Sequence, residues 1–187
     1  MIRITLTSNK TILMKKLSIL FVLLFAISVN AQEENTATLD NEVKLNAAYT
    51  LAGLPEISYE RILNEESSIG VALLIPMDDN YDLNFMLTPY YRLFFGKKRA
   101  AGFFIEGNAA VFSGDYEGDF NGNFEDGFNS NSSNETGFGL GFAIGGKLIS
   151  KSNWTGELLL GLGRTLINED KTSEAYPRLG ISIGKRF

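Results

Sequence analysis

The sequence predicts an all-β fold, an eight-stranded antiparallel up-and-down transmembrane β-barrel that follows an N-terminal signal peptide. Three observations predict it. Eight stretches alternate bulky apolar residues with small or polar ones, which is the period of a strand with two unlike faces. The connections between these stretches are short and long in turn, and no stretch after residue 31 keeps a helical period of apolar residues. A closed barrel of strands in a membrane accounts for all three.

Residues 1–31 form the predicted signal peptide. A basic start at Met14–Lys16 leads into the apolar run Leu17–Val29, and small residues precede a cleavage site after Ala31. The run is shorter than the roughly 20 residues that a helix needs to span a bilayer, so a cleaved leader is favoured over a retained anchor. Met14 is the predicted true start. We expect residues 32–42 to form a short N-terminal segment and residues 43–187 to form the barrel.

The composition excludes several classes of function. The 187-residue chain has no cysteine, so it has neither disulfides nor thiolate metal ligands. It also has no histidine, whereas hydrolytic sites of the Ser-His type need an imidazole base near neutral pH. We therefore predict that the protein is not an enzyme and uses no cofactor. Nucleic acid is not an expected partner, because the formal net charge is −5 and the leader contains only basic charges.

Each predicted strand has one bulky apolar face. The strands cover residues 43–51, 56–63, 67–75, 83–95, 102–113, 135–149, 154–165 and 178–187. In the first four strands the apolar faces are Val43, Leu45, Ala47, Tyr49 and Leu51; Ile57, Tyr59 and Leu63; Ile69, Val71, Leu73 and Ile75; and Leu83, Phe85, Leu87, Tyr91 and Leu93. In the last four they are Phe103, Ile105, Ala109 and Val111; Phe138, Leu140, Phe142, Ile144 and Leu148; Trp154, Leu158, Leu160 and Leu162; and Leu179, Ile181, Ile183 and Phe187.

The connections divide by length between the two ends of the predicted barrel. Three short ones lie at one end, which we call the short-turn end: 64–66, 96–101 and 150–153. Three longer ones lie at the opposite, long-loop end: 76–82, 114–134 and 167–175. The first connection, 52–55, is an exception because it is short at the long-loop end. An even number of strands also returns both termini to the short-turn end, as in outer-membrane barrels.

Pro89 interrupts the fourth predicted strand. A closed barrel has no free edge at which a missing backbone N–H is tolerated. We therefore predict a β-bulge here, beside the stretch Tyr90–Arg92.

The small, polar face of the strands is predicted to line the lumen, and the bulky face to lie outside. Eight strands leave an interior just wide enough for side chains to fill. Aromatic residues near strand ends are predicted to form two interfacial girdles, with Phe95, Phe103, Trp154 and Phe187 at the short-turn end and Tyr49, Tyr59, Phe85 and Phe138 nearer the long loops.

Isolated charges on the inward face predict a lumenal charge network. Its members are Lys44, Glu60, Arg92, Glu106, Lys147, Glu157, Arg178 and Arg186. Charges in a low-dielectric interior have to be paired or hydrated. We expect the five cations and three carboxylates to interlock into a plug, and a narrow or gated pore is the alternative.

The connection 114–134 is the longest and is rich in carboxylates and amides. Asp115, Glu117, Asp119 and Asn121 are weak candidates for a Ca²⁺ site, because spaced oxygen ligands suit that ion. The glycine that an EF-hand needs at its sixth loop position is absent in either register. The preferred interpretation is a hydrated surface loop that contacts an extracellular protein or glycan. Phe120, Phe124 and Phe128 are expected to be available for that contact.

These features together resemble the small bacterial outer-membrane β-barrel proteins typified by OmpX and the OmpA transmembrane domain. The likeness rests on the leader at Met14, the eight alternating strands, the Tyr90–Arg92 strand, the glycine-rich sixth strand and the terminal Phe187. It implies a monomer in outer-membrane lipid of a Gram-negative-type bacterium, inserted by the barrel assembly machinery, with Phe187 as an assembly signal. Lys185 departs from the pattern, which usually has an apolar residue two positions before the end. Many such proteins are of unknown function.

We therefore expect an integral outer-membrane barrel with a structural or surface-interaction role through acidic extracellular loops. A small passive channel through the lumen is one alternative. A soluble periplasmic lipocalin-like binder of a hydrophobic ligand is another, and it would invert the two faces of the strands.

Overall fold

The architecture is an eight-stranded closed β-barrel. A computed structural model describes residues 39–78, 81–117, 132–167 and 174–187, without the side chains of 115–117 and 132–134. The predicted signal peptide lies outside the described residues. The elements are β1 (Asn41–Asn46), α1 (Ala47–Leu51), β2 (Glu56–Ile62), β3 (Ser67–Leu74), β4 (Leu83–Phe94), β5 (Gly102–Glu117), β6 (Ser132–Ile149), β7 (Trp154–Ile167) and β8 (Ala175–Arg186).

The strands follow one another around the barrel in chain order. Every neighbouring pair is antiparallel, and β1 closes the sheet by pairing with β8 from Glu42↔Arg186 to Asn46↔Ser182. Asn41 and Phe187 extend this ladder by exchanging two backbone hydrogen bonds, at 3.0 and 2.8 Å. The prediction of an all-β, up-and-down barrel of eight antiparallel strands is confirmed.

The first strand is shorter than its alternation predicts. It begins at Asn41, two residues before the predicted start of the barrel, and it ends at Asn46, where α1 takes over. The reason is local, because the Asn46 side chain accepts a hydrogen bond from Tyr49 N at 3.3 Å and so caps a helix. The predicted strand over residues 47–51 is therefore wrong. The described part of the chain holds no helix with the length and hydropathy of a membrane span.

This correction also removes the exception among the connections. Since β1 ends at Asn46, the first connection runs over residues 47–55 and includes a helix. It is therefore long, like the other connections at its end of the barrel. Every connection at the long-loop end is then at least as long as every connection at the short-turn end.

The last residue of β1 and a tyrosine of the first connection satisfy the edge of β8 beyond β1. Asn46 donates through Nδ2 to Leu179 O at 2.9 Å and accepts from Ile181 N at 3.3 Å. The Tyr49 hydroxyl accepts from Leu179 N and donates to Pro177 O, each at 3.3 Å. We call these four contacts the β8 edge cap, because they take the place of hydrogen bonds that a longer β1 would make.

Pro89 does not cause the predicted bulge. The ladder from β4 to β5 keeps one register across it, from Leu87↔Val111 to Tyr90↔Asn108, and the register shift lies between Leu83 and Phe85 instead. A proline removes one hydrogen bond from a ladder but does not by itself require an extra residue. The sheet accordingly continues through Pro89 without a change of register.

The outer wall of the barrel is apolar. Large hydrophobic side chains point outward along every strand, and the most exposed of those on the strands include Leu148, at 78%, and Leu162, at 71%. One assigned position needs correction, since the Tyr59 hydroxyl donates to Asn41 Oδ1 at 2.7 Å, toward the short-turn end rather than the long loops. The inward face carries the charges together with small residues and buried aromatic and aliphatic side chains.

Candidate functional site in the barrel lumen

The charged residues of the lumen form one buried cluster. All eight members of the predicted network are buried, and two further carboxylates, Glu42 and Glu56, join them. The cluster therefore pairs five cations with five carboxylates. Its members come from seven strands, because the inward face of β3 is uncharged and carries Ser68, Gly70, Ala72 and Leu74.

Glu60 and Glu157 are the centre of the cluster. Glu60 is fully buried and accepts from Lys44, from Arg92 Nη1 at 2.9 Å and from Lys147 Nζ at 2.5 Å. Glu157 accepts from Lys44 Nζ at 3.0 Å and from Arg92 Nη1 at 2.8 Å. Three cations thus surround two carboxylates, and the excess positive charge is balanced by neighbouring carboxylates on either side.

Toward the short-turn end, the cluster continues through Glu42 to Arg186. Lys147 Nζ lies 3.0 Å from Glu42 Oε2, and Arg186 donates from Nε and Nη2 to Glu42 Oε1 at 2.7 and 2.6 Å. Arg186 also donates to the carbonyl oxygens of Arg99 and Ala100, each at 3.0 Å. The network is thereby tied to the turn between β4 and β5.

That turn folds over the lumen at the short-turn end. Ala100 is fully buried, and its N–H donates to Glu65 O at 2.8 Å. The fold brings the backbone so close together that a Cβ on Gly96 would lie 1.8 Å from Ala101 O, and Gly102 has a φ of +98°. Glycine at both positions is what allows the turn to enter the barrel.

Toward the long-loop end, the cluster passes through Glu106 to Arg178. Arg92 Nη2 lies 2.7 Å from Glu106 Oε2, and Arg178 Nε lies 3.0 Å from Glu106 Oε1. Arg178 Nη1 then contacts Glu56 Oε2 at 2.8 Å, and Glu56 accepts from Asn46 Nδ2 at 3.1 Å. The network is therefore continuous from the turn at one end to the first connection at the other.

Apolar side chains fill the lumen above and below the charges. One group, at the short-turn end, consists of Ile62, Phe94, Ala100, Phe104, Ala143 and Leu159. The other, at the long-loop end, consists of Ala110, Phe112 and Tyr176, with Leu83 and Met86 against it. The Arg92 guanidinium carbon lies 4.4 Å from the ring centroids of both Tyr90 and Phe104, so aromatic faces also contact the central cation.

The arrangement is suited to holding strands together rather than to chemistry. Each carboxylate of the cluster contacts at least one cation, so none is left as a free base. Within the described ranges, no group of three or more His, Cys, Asp or Glu residues could hold a metal ion. The predicted Ca²⁺ candidates are not part of this result, because Asp119 and Asn121 and the side chains of Asp115 and Glu117 lie outside the description.

Two of the ten charged residues were missed by the sequence analysis, although the same pattern indicates them. Glu56 lies on the same face of β2 as Glu60, and Glu42 lies on the same face of β1 as Lys44, because an even separation along a strand places side chains on one face. Glu42 falls in the predicted N-terminal segment because the first strand is predicted to begin at Val43, whereas it begins at Asn41. The alternation in the sequence therefore indicates that both carboxylates point into the lumen.

Comparison with known proteins identifies a family but no individual relative. No curated protein and no solved structure matches the chain. The sequence pattern of DUF3575, described as a protein of unknown function, matches residues 17–180. Since this match spans most of the chain, the protein belongs to the DUF3575 family.

Proposed function

We propose that the protein is an integral outer-membrane β-barrel with a closed lumen and a structural or surface-interaction role through its acidic loops. The observation that carries the proposal is the distribution of side chains, with apolar residues on the outer wall and ion pairs inside. An apolar surface of this extent is far larger than the few hundred Å² that soluble monomers expose. Lipid around the outer wall would remove the free-energy cost of exposing these apolar side chains to water.

The side chains at the short-turn end support a membrane boundary there. Phe95, Phe103 and Trp154 project outward where the apolar wall ends, and the rings of Phe95 and Phe103 lie 6.0 Å apart. Aromatic residues favour the interface between hydrocarbon and water. In the proposal, this end faces the periplasm and the long loops face the cell exterior.

The exposed carboxylates at the opposite end support the role given to the loops. Asp78, Asp82 and Glu174 are exposed there, at the end of the barrel where β5 ends and β6 begins, and residues 118–131 between those strands lie outside the described residues. We propose that this acidic end meets an extracellular protein or glycan. Export by the signal peptide, insertion of a monomer by the barrel assembly machinery through Phe187 and the absence of enzymatic activity belong to the same proposal.

Cell fractionation tests the location. A tagged protein is expected in the outer-membrane fraction, and the purified protein is expected to migrate differently on a mild-detergent gel before and after boiling. A chain that stays in the periplasmic fraction and needs no detergent would support the lipocalin-like alternative. The charged side chains inside the barrel and the apolar side chains outside it support the outer-membrane proposal over this alternative.

The filled lumen leads to an expected result for the channel alternative. The turn 96–101, the continuous ion pairs and the two apolar groups occupy successive levels of the interior. We therefore expect no steady single-channel steps when the refolded barrel is inserted into a planar lipid bilayer. Reproducible steps of one size would favour the small channel over the plug.

A further inference from the structure

Three exposed lysines from separate parts of the chain converge on the β6–β7 turn, residues 150–153. Lys98, from the β4–β5 turn, places Nζ 3.5 Å from Ile149 O, and Lys185, from β8, donates to Ser152 O at 2.6 Å. Lys151 belongs to the turn itself. We call Lys98, Lys151 and Lys185 the rim lysines.

The rim lysines carry positive charge that no carboxylate among the described residues balances. No ion pair in the described part of the chain includes any of them, and the hydrogen bonds of Lys98 and Lys185 go to backbone carbonyls. The two exposed or half-buried arginines at this end are paired, since Arg99 lies 2.7 Å from Asp40 and Arg61 lies 3.9 Å from the same carboxylate. One sector of the rim is therefore selectively cationic.

This sector lies where the outer wall ends. Lys185 is opposite Trp154 in the β7–β8 ladder, and its Nζ lies 5.4 Å from the centroid of that ring. Ile183, two residues before Lys185, and Leu148, before the turn, are exposed on the wall below. A long lysine side chain can follow an apolar surface and place its charge at the boundary.

We propose that the rim lysines bind the phosphate of an anionic phospholipid, of the phosphatidylglycerol class, in the leaflet at the short-turn end. The inference rests on the proposed membrane location. The ammonium groups supply charge-assisted donors to the phosphate, and the wall at Leu148 and Ile183 contacts the acyl chains. A free phosphate ion would contact only the ammonium groups, whereas a phospholipid contacts both the ammonium groups and the apolar wall. The lipid is therefore the proposed occupant.

Trp154 provides the readout, because it is the single tryptophan of the chain. The refolded barrel is placed in mixed vesicles in which either phosphatidylglycerol or phosphatidylcholine carries brominated acyl chains, and quenching of Trp154 is compared. We expect phosphatidylglycerol to be preferred by at least about fivefold, the effect of one lysine near an anionic lipid surface. The preference is expected to disappear in the variant with Lys98→Gln, Lys151→Gln and Lys185→Gln, and to persist in millimolar inorganic phosphate.

A matched pair of single variants separates the site from general charge. Lys185→Gln is expected to lower the preference, whereas Arg61→Gln, which removes one charge from the same end, is expected to leave it unchanged. The ratio of the two quenching values cancels any change in the intrinsic intensity of Trp154. Equal quenching by both lipids in the unmodified protein, equal effects of the two variants, or loss of the preference in phosphate would overturn the lipid site. Absence of quenching by either lipid would instead contradict the membrane location.

Discussion

Glu60→Gln is expected to lower the free energy of unfolding of the barrel by about 3–5 kcal/mol, the usual cost of removing one partner from a buried ion pair. Glu60 is fully buried and contacts three cations, Lys44, Arg92 and Lys147. Glutamine keeps the shape of the side chain but leaves one positive charge uncompensated in the lumen. Urea titration of the barrel refolded in detergent, followed by Trp154 fluorescence, measures the change.

Glu66→Gln is the control for this experiment, since Glu66 is exposed in the β2–β3 turn. We expect its effect to stay within about 0.5 kcal/mol, as for most surface substitutions. Equal unfolding midpoints for the two variants would mean that the lumenal charges do not stabilise the barrel.

Two consecutive glycines of β6 are expected to respond in opposite ways to the same substitution. A Cβ on Gly145 would lie 2.3 Å from Phe104 Cζ and 2.4 Å from Leu158 O, whereas a Cβ on Gly146 would meet nothing within 4 Å. Gly145→Ala is therefore expected to cost about 1–3 kcal/mol, the range for an overpacked interior. Gly146→Ala is expected to stabilise the barrel by about 0.4–1 kcal/mol, because it restricts the unfolded chain.

The same urea titration compares these two variants, and Gly156→Ala extends the control to β7, where a Cβ also meets nothing within 4 Å. The order of the two midpoints identifies the inward face of β6. If Gly146→Ala were the more damaging change, the assignment of lumen and outer wall would be reversed.

The strand count, the chain order and the two faces of the barrel follow from the alternation in the sequence. A period of two is a local property, so a single chain displays it without knowledge of its partners in space. Where the alternation misled, at residues 47–51, a helix cap competed with it. The side chain of Asn46 satisfies the Tyr49 amide, and residues with strand-like spacing become helical.

The geometry of the lumenal site was less accessible from the sequence. Parity identifies which charges point inward, but the partners depend on the tilt of the strands and on how far each side chain reaches across the barrel. Lys147 and Glu42, for example, are 105 residues apart in the chain and 3.0 Å apart in the lumen. The sequence pattern also does not predict that the β4–β5 turn enters the barrel, because this entry depends on the close approach of Gly96 to Ala101.

The β8 edge cap has a consequence for engineering the protein. Connections at the end of a barrel are usually the segments that tolerate replacement by other sequences. Here Asn46 and Tyr49 satisfy backbone groups of β8, and a backbone group left without a partner destabilises the folded barrel. A foreign peptide grafted in place of residues 47–55 would remove the two Tyr49 contacts of the β8 edge cap, so grafts belong in the other connections.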